Sequence, residues 1–261
     1  MKFKFTIWIL SLTLSIFSQE KINTTLIDSI TLENKIVYEI NEQGIYYSIN
    51  NEFYKKTKDK EFNYTNITLG NLTSVDLYNP LQTVLFYKDF NTIILLDSQL
   101  NETHRIDGNK LETIVNFNHI GLAIQNQIWF YDTLSQKIGL YNFNTDSFKF
   151  ISTPLTSKII QHATDYNYFY WIDEDNISYT ISIFGKIKTL GKLPSYDLIQ
   201  ILTEENYVIK EGKQLYLFKK KENKMYEINI SKNSFDKFYY KNGILSIFTP
   251  KKVINYKILL P

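Results

Sequence analysis

The chain has 261 residues, a formal net charge of +2 with lysines and acidic residues interspersed, and no cysteine. These facts remove disulfides, thiolate chemistry and sulfur-ligated zinc, and they give no case for a nucleic-acid partner. Tyr, Phe, Ile, Thr and Val are abundant while only nine Gly and five Pro occur; such residues suit pleated, half-buried strands and make weak helices, so the chain reads as all-β.

Lys2 and Lys4 precede an apolar run from Phe5 to Phe17, and Ser18 offers a small residue before Gln19. The run is short for a bilayer span and lacks a basic stop-transfer flank, the pattern of a cleaved secretory signal. Residues 1–18 are therefore expected to be removed after Ser18, leaving 19–261 as one soluble domain with no integral membrane span. No cysteine follows the apolar run, so a lipid anchor is not expected. The location implied is exported: periplasmic, outer-membrane-associated or extracellular.

Gln19 to Asn23 reads as a mobile leader, and Thr24 to Ile30 as a strand standing apart, with Leu26 and Ile30 its expected buried residues. Ile36 to Ile40 and Ile45 to Ile49 flank Asn41-Glu42-Gln43-Gly44 as a hairpin, and Glu52 to Lys56 with Phe62 to Leu69 complete a first unit. The second unit holds Val75 to Tyr78, Thr83 to Tyr87, a polar corner at Lys88, Asp89 and Asn91, Thr92 to Leu96, and a turn opened by Asp97-Ser98. The third opens at Thr113 to Phe117 and continues through Gly121 to Asn126, Gln127 to Asp132, Ile138 to Phe143 and Ser147 to Ile151. The fourth runs from Ile159 through Tyr166 to Asp173 and Asn176 to Ser182, then past a Gly185 turn. The fifth contains LIQILT, NYVIK, QLYLFK and KMYEINI; the sixth contains SFDKFYY, an Asn242-Gly243 turn, ILSIFT and VINYKILL.

Aligned on their aromatic strands, read as the inner strands of the units, Tyr47, Phe86, Phe130, Trp171 and Phe218 recur at roughly the 40–50 residues expected per four-stranded propeller blade. Phe248 comes too early, so the last unit needs a strand from elsewhere, and the orphan Thr24 to Ile30 segment can supply it. The expectation is a single β-propeller of six blades closed by this N-terminal strand, which would also cover sheet edges that invite aggregation. A β-sandwich or barrel is the alternative, since both use short strands at regular spacing.

The exported leader, the stretch NPLQTVLFYKDFNTIILLD (Asn79 to Asp97) and the cysteine-free, Asn/Ile/Lys-rich repeat together resemble a group of uncharacterised exported β-propeller-like proteins from flavobacteria and their relatives. The resemblance implies a Gram-negative envelope setting and carries over no catalytic residue. The Trp-Asp pairs of WD repeats and the glycine pairs of kelch repeats are absent.

His104, His119 and His162 fall in different units without the i, i+2 or i, i+4 spacing of ligand pairs, and are expected as separate surface or hydrogen-bonded residues. Asp173-Glu174-Asp175-Asn176 lacks the Gly and Glu of a calcium loop and reads as an acidic hairpin tip. Asp89, Asp97 and Asp132 read as turn residues capping backbone amides. The clusters Lys55, Lys56, Lys58, Lys60 and Lys219-Lys220-Lys221 read as solvated hairpin faces. No cofactor is expected. Trp129, Tyr168, Tyr170 and Trp171 could form a binding surface, or pack between blades. The function expected is non-enzymatic: a protein-binding or scaffolding component of the cell envelope. The alternatives are a carbohydrate- or peptide-binding module using a central funnel and, behind it, a hydrolase with paired carboxylates there.

Overall fold

A computed structural model describes residues 21–231 and 234–261, and the signal segment expected over 1–18 lies outside them. The described chain is built from strands. β1 (Lys21–Thr31) comes first. Four antiparallel meanders follow: β2 (Ile36–Asn41) to β5 (Glu61–Tyr64) by way of β3 (Gly44–Ile49) and β4 (Glu52–Lys56); β6 (Ser74–Asn79), β7 (Gln82–Tyr87), β8 (Thr92–Leu96) and β9 (Glu102–Asp107); β10 (Phe117–Ala123), β11 (Gln127–Asp132), β12 (Lys137–Asn142) and β13 (Ser147–Phe150); β14 (Ile159–Thr164), β15 (Tyr168–Asp173), β16 (Ile177–Ser182) and β17 (Ile187–Lys192). An eight-stranded sheet holds β18 (Leu198–Ile201), β19 (Asn206–Glu211), β20 (Gln214–Lys219) and β21 (Lys224–Asn229) at one side, and β22 (Lys237–Lys241), β23 (Ile244–Phe248) and β24 (Lys252–Ile258) at the other. β1 lies between them.

The N-terminal strand works in two halves. Lys21, Ile22 and Asn23 pair in parallel with Glu227, Ile228 and Asn229 of β21. Thr24 to Thr31 then pair antiparallel with β24, from Thr24 opposite Ile258 to Thr31 opposite Lys252, with a register break between Leu26 and Asp28. The expected pairing with the C-terminal strand is therefore present, but two details differ. Lys21 to Asn23 is strand rather than leader, and Ile22 is the residue it buries, at 8% exposure. Leu26 is 61% exposed and Ile30 half-buried, because this half of β1 forms an outer edge that points Leu26 away from the core.

Packing proceeds from sheet to sheet. Tyr46, Phe53, Leu85 and Ile94 join the first two meanders; Phe86, Ile93, Phe117 and Phe130 the second and third; Trp129, Leu140, Ile159 and Phe169 the third and fourth. Tyr170 and Ile172 meet Tyr207 and Ile209, and Val208 and Leu217 meet Leu245 and Tyr256. The series returns to its start where Val37 and Tyr47 meet Phe248 and Val253. Four four-stranded sheets and one eight-stranded sheet whose faces stack in this cyclic order are neither a two-sheet sandwich nor one continuous barrel.

The aromatic marker strands are the second of each group, not the innermost: Tyr47 is on β3, Phe86 on β7, Phe130 on β11 and Trp171 on β15. Phe218 lies on β20, the third strand of its group, whereas Phe248 lies on β23, a second strand. The short interval between them reflects that shift as well as the missing strand. β9 was not anticipated; its sequence, ETHRID, has little apolar alternation and only Ile106 buried. The third meander opens at Phe117 rather than Thr113, and β5 stops at Tyr64.

Candidate functional site

The first strand of each group faces a central channel of about 1000 Å³. Its wall is laced by polar side chains that each reach a neighbouring first strand. Asp76 Oδ2 accepts the Leu122 amide at 2.7 Å, and its Oδ1 accepts the Tyr78 amide at 2.7 Å. Gln161 donates to the Ile199 carbonyl at 3.3 Å. Gln200 donates to the Tyr240 carbonyl at 2.8 Å and accepts the Tyr240 amide at 2.7 Å. Lys241 donates to both carboxylate oxygens of Glu39, at 3.0 and 2.9 Å, and to the Leu77 carbonyl at 2.7 Å. Each bridge satisfies groups that the inner edges of the sheets would otherwise leave open.

Two carboxylates share one cation in this wall. Glu39 is 3% exposed and also accepts from Asn41 and, at 3.5 Å, from the Tyr239 hydroxyl. Asp76 lies deep in the channel, and burial raises its pKa against the opposing pull of two backbone amides and Lys241. A channel carboxylate surrounded by protein loses hydration without gaining a full counterion.

The histidines expected to be separate converge. His119 of β10 and His162 of β14 place their Nδ1 atoms 3.1 Å apart, with ring centroids at 4.6 Å. Gly121 makes this approach possible: a Cβ there would lie 1.9 Å from Thr164 Oγ1, so only glycine lets β14 come this close. His162 Nε2 lies 3.3 Å from the Ile120 carbonyl, which can only accept, so Nε2 carries the hydrogen and the neutral ring presents a bare Nδ1. His119 must then donate from Nδ1 and keep its lone pair at Nε2. Burial pushes His119 down to about 3, helped by His162 and Lys88, and burial pushes His162 down to about 4. Both rings are neutral at pH 7. Sequence spacing could not reveal the pair, because its members come from consecutive sheets.

The four candidate aromatics separate. Trp129 is fully buried, with its indole N–H donating to the Asp165 carbonyl at 2.8 Å, and Trp171 is 4% exposed and stacks on Tyr179. Both are packing between sheets, so the surface role does not hold for them. Tyr170 is buried at the channel wall and donates to Asp165 at 2.8 Å; Tyr168 is 41% exposed. Trp129→Ala should cost about 3–5 kcal/mol by cavity formation, whereas Tyr168→Ala should stay within about 0.5 kcal/mol. Urea unfolding midpoints of the two variants check this; equal losses would contradict the assignment.

Asp97 accepts the amides of Gln99 and Asn101, and Asp132 those of Asn116, Leu134 and Ser135, so both are turn-capping residues as expected. Asp89 is exposed in the 3-10 turn Lys88–Phe90 and makes no such bond. The true counterpart of Asp132 is Asp173, which ends β15 and accepts from Asp175, Ile177 and the Tyr179 hydroxyl. That makes the acidic tip a self-bonded turn. Asn91, at φ 51°, donates to the Val115 carbonyl and accepts the Phe117 amide, tying the polar corner to the next sheet. Two lysines depart from the solvated reading. Lys55 is 6% exposed and donates to the Ser98 carbonyl at 2.8 Å, and Lys220 donates to the Gly191 and Lys192 carbonyls. Each joins two sheets.

The alternating strand directions sort the exposed apolar residues between the two faces. On the face where the first strands begin lie Ile36, Ile67, Phe90, Ile114 and Leu134, from 47% to 93% exposed. They come from three consecutive meanders. Asn51 fixes this rim by donating to the Gly70 carbonyl and accepting the Leu72 amide, and the Phe90 ring packs where a Cβ on Gly70 would be 2.9 Å away. The opposite face carries Tyr78, Leu81, Tyr168, Phe184, Ile187 and Leu259, spread over non-adjacent sheets. Among the described residues no helix is long and apolar enough to cross a membrane.

No family model matches the sequence, and no curated protein is similar to it. Solved structures are similar in fold. Virginiamycin B lyase from Staphylococcus aureus aligns with a TM-score of 0.57 at 12% identity, over 92% of this chain and 96% of the other. BamB from Moraxella catarrhalis aligns with a TM-score of 0.52 at 9% identity, over 90% and 99%. The Swd1 β-propeller domain of Myceliophteria thermophila aligns with a TM-score of 0.55 at 8% identity, over 90% and 100%. With the sheet arrangement above, these likenesses establish an all-β, propeller-like fold. At such identities they establish the fold alone.

Proposed function

We propose that this chain is an exported, non-enzymatic propeller of the cell envelope that holds a protein partner on the face where its first strands begin. The count we propose is six blades, a reading supported by four meanders and the two halves of the eight-stranded sheet, with β1 taken as the fourth strand of the last. The observation that carries the functional reading is the rim of Ile36, Ile67, Phe90, Ile114 and Leu134, exposed on adjacent sheets and held by the Asn51 bridge. Exposed apolar side chains gathered on one rim of a scaffold are what a partner buries. The channel supports the same reading, since Glu39, Asp76, Lys241, Gln161 and Gln200 are engaged in bridges between strands. A sugar or peptide in the channel is the second reading, favoured by the half-exposed Tyr78 at its wall.

The test is crosslinking of the exported protein in envelope extracts, comparing wild type with an Ile67→Asp/Phe90→Asp/Leu134→Asp variant and with Phe184→Asp on the opposite face. The expected result is loss of one discrete crosslinked partner in the triple variant alone, with an unchanged melting midpoint. Loss with Phe184→Asp and retention in the triple variant would overturn the assignment of the face. Intact mass of the same exported material should begin at Gln19; a species retaining Met1 would remove the export reading.

A further inference from the structure

The histidine pair is more than the fold requires. Other bridges between first strands use amides or carboxylates against backbone groups, or the Lys241–Glu39 ion pair; this one sets two imidazoles against each other in a desolvated wall. Among the described residues His119 Nε2 has no hydrogen-bond partner, while His162 Nδ1 faces His119 directly. Phe169 stacks on the His162 ring at 5.7 Å, and Tyr131 lies 6.0 Å from the His119 ring. His162 borders the channel, which gives a route in.

We propose that His119 and His162 form a two-coordinate site for a monovalent d10 metal ion, with Cu(I) the physiological member of that class. Three features select it. First, among the described residues no group of three His, Asp or Glu gathers to hold a metal, so an ion demanding four or six protein ligands is not served. Second, imidazole is a fitting ligand for copper, and the desolvated setting, with the Tyr131 and Phe169 rings beside the pair and the Lys88 charge acting on His119, penalises a divalent charge more than a monovalent one. Third, the two Nδ1 atoms already point at each other. Metal–imidazole bonds are about 2 Å, so an ion in line between them needs the rings to part by roughly 1 Å, and His162, which lines the channel, is the ring bordered by open space. No proton is released: as the ion binds, the His119 hydrogen moves from Nδ1 to Nε2, where no protein group opposes it. The His162 hydrogen stays on Nε2 against Ile120.

The experiment is anaerobic titration of the full chain with Cu(I) against a chromophoric Cu(I) chelator. The chain lacks cysteine, so no thiolate competes. Wild type is expected to withdraw one equivalent, His104→Phe to do the same, and His119→Phe or His162→Phe to withdraw none. Nitrogen-15 spectra of wild type should show both Nδ1 resonances shifting on Cu(I) addition and the His119 proton appearing on Nε2, a readout that does not depend on the variants folding. Failure of wild type to withdraw copper, retention by either phenylalanine variant, or preference for Zn(II) over Cu(I) would each overturn the proposal.

Discussion

Removing Lys21–Thr31 is expected to abolish the cooperative unfolding transition of this protein, and removing only residues 21–23 is expected to lower its midpoint sharply. β1 holds the eight-stranded sheet together through both of its edges. Its first half contributes a parallel ladder to β21, the Thr24 hydroxyl donates to the Asn229 carbonyl at 2.6 Å, and Asn255 donates to Asp28 at 2.7 Å beside the antiparallel ladder to β24. Each backbone hydrogen bond contributes about 0.5–1.5 kcal/mol net, so two ladders approach the roughly 5–15 kcal/mol of a typical domain. Side chains divide unevenly along the strand. Ile22→Ala should cost about 2–5 kcal/mol because Ile22 packs with Leu215, Ile228 and Ile258. Leu26→Ala should change stability by less than about 0.5 kcal/mol. Thermal and urea unfolding of the two truncations and two point variants measure this. A 21–23 truncation that melts like the full chain would show that the parallel half is dispensable.

The reach of the sequence is clear from the same strand. Repetition of alternating apolar residues and turn signals located nearly every strand, because the period of two and the Asn-Gly and Asp-containing turns are local properties. The need for a strand from outside the last unit was also legible. Ile22 was not, since a three-residue parallel ladder leaves no alternation long enough to read. Lys55 and Lys220 show a second limit: a lysine that spans two sheets has the same sequence context as one in water, and only the neighbouring carbonyl distinguishes them. The channel wall was legible least of all. Asp76, His119, Gln161 and Lys241 each lie on the first strand of a different group, and each looks like an ordinary polar strand position. Trp129 and Trp171 drew attention by size, yet size is what places them between sheets.

Lys241→Met is expected to destabilise the protein by about 3–5 kcal/mol at pH 7, with much of that loss recovered in the Glu39→Leu/Lys241→Met double variant. The pair joins β2 to β22, the first strands of the first and last groups, with Glu39 3% and Lys241 24% exposed at their side chains. Removing the lysine leaves the Glu39 carboxylate buried without its cation and withdraws a donor from Leu77. Removing both charges lifts the desolvation penalty, so the singles and the double should be strongly non-additive. A pH dependence separates this charge effect from simple loss of packing. Burial raises the folded-state pKa of Asp76 and Lys241 lowers it, so loss of the lysine drives it further up. A carboxyl whose folded pKa is raised favours the folded state below its unfolded value and loses that contribution as pH rises through the folded value. The gap between Lys241→Met and wild type should therefore be widest at neutral pH and narrow toward pH 4. Urea midpoints at several pH values give the comparison. An additive double variant with a gap independent of pH would reduce Lys241 to a packing residue and leave the seam to Val37, Tyr47, Phe248 and Val253.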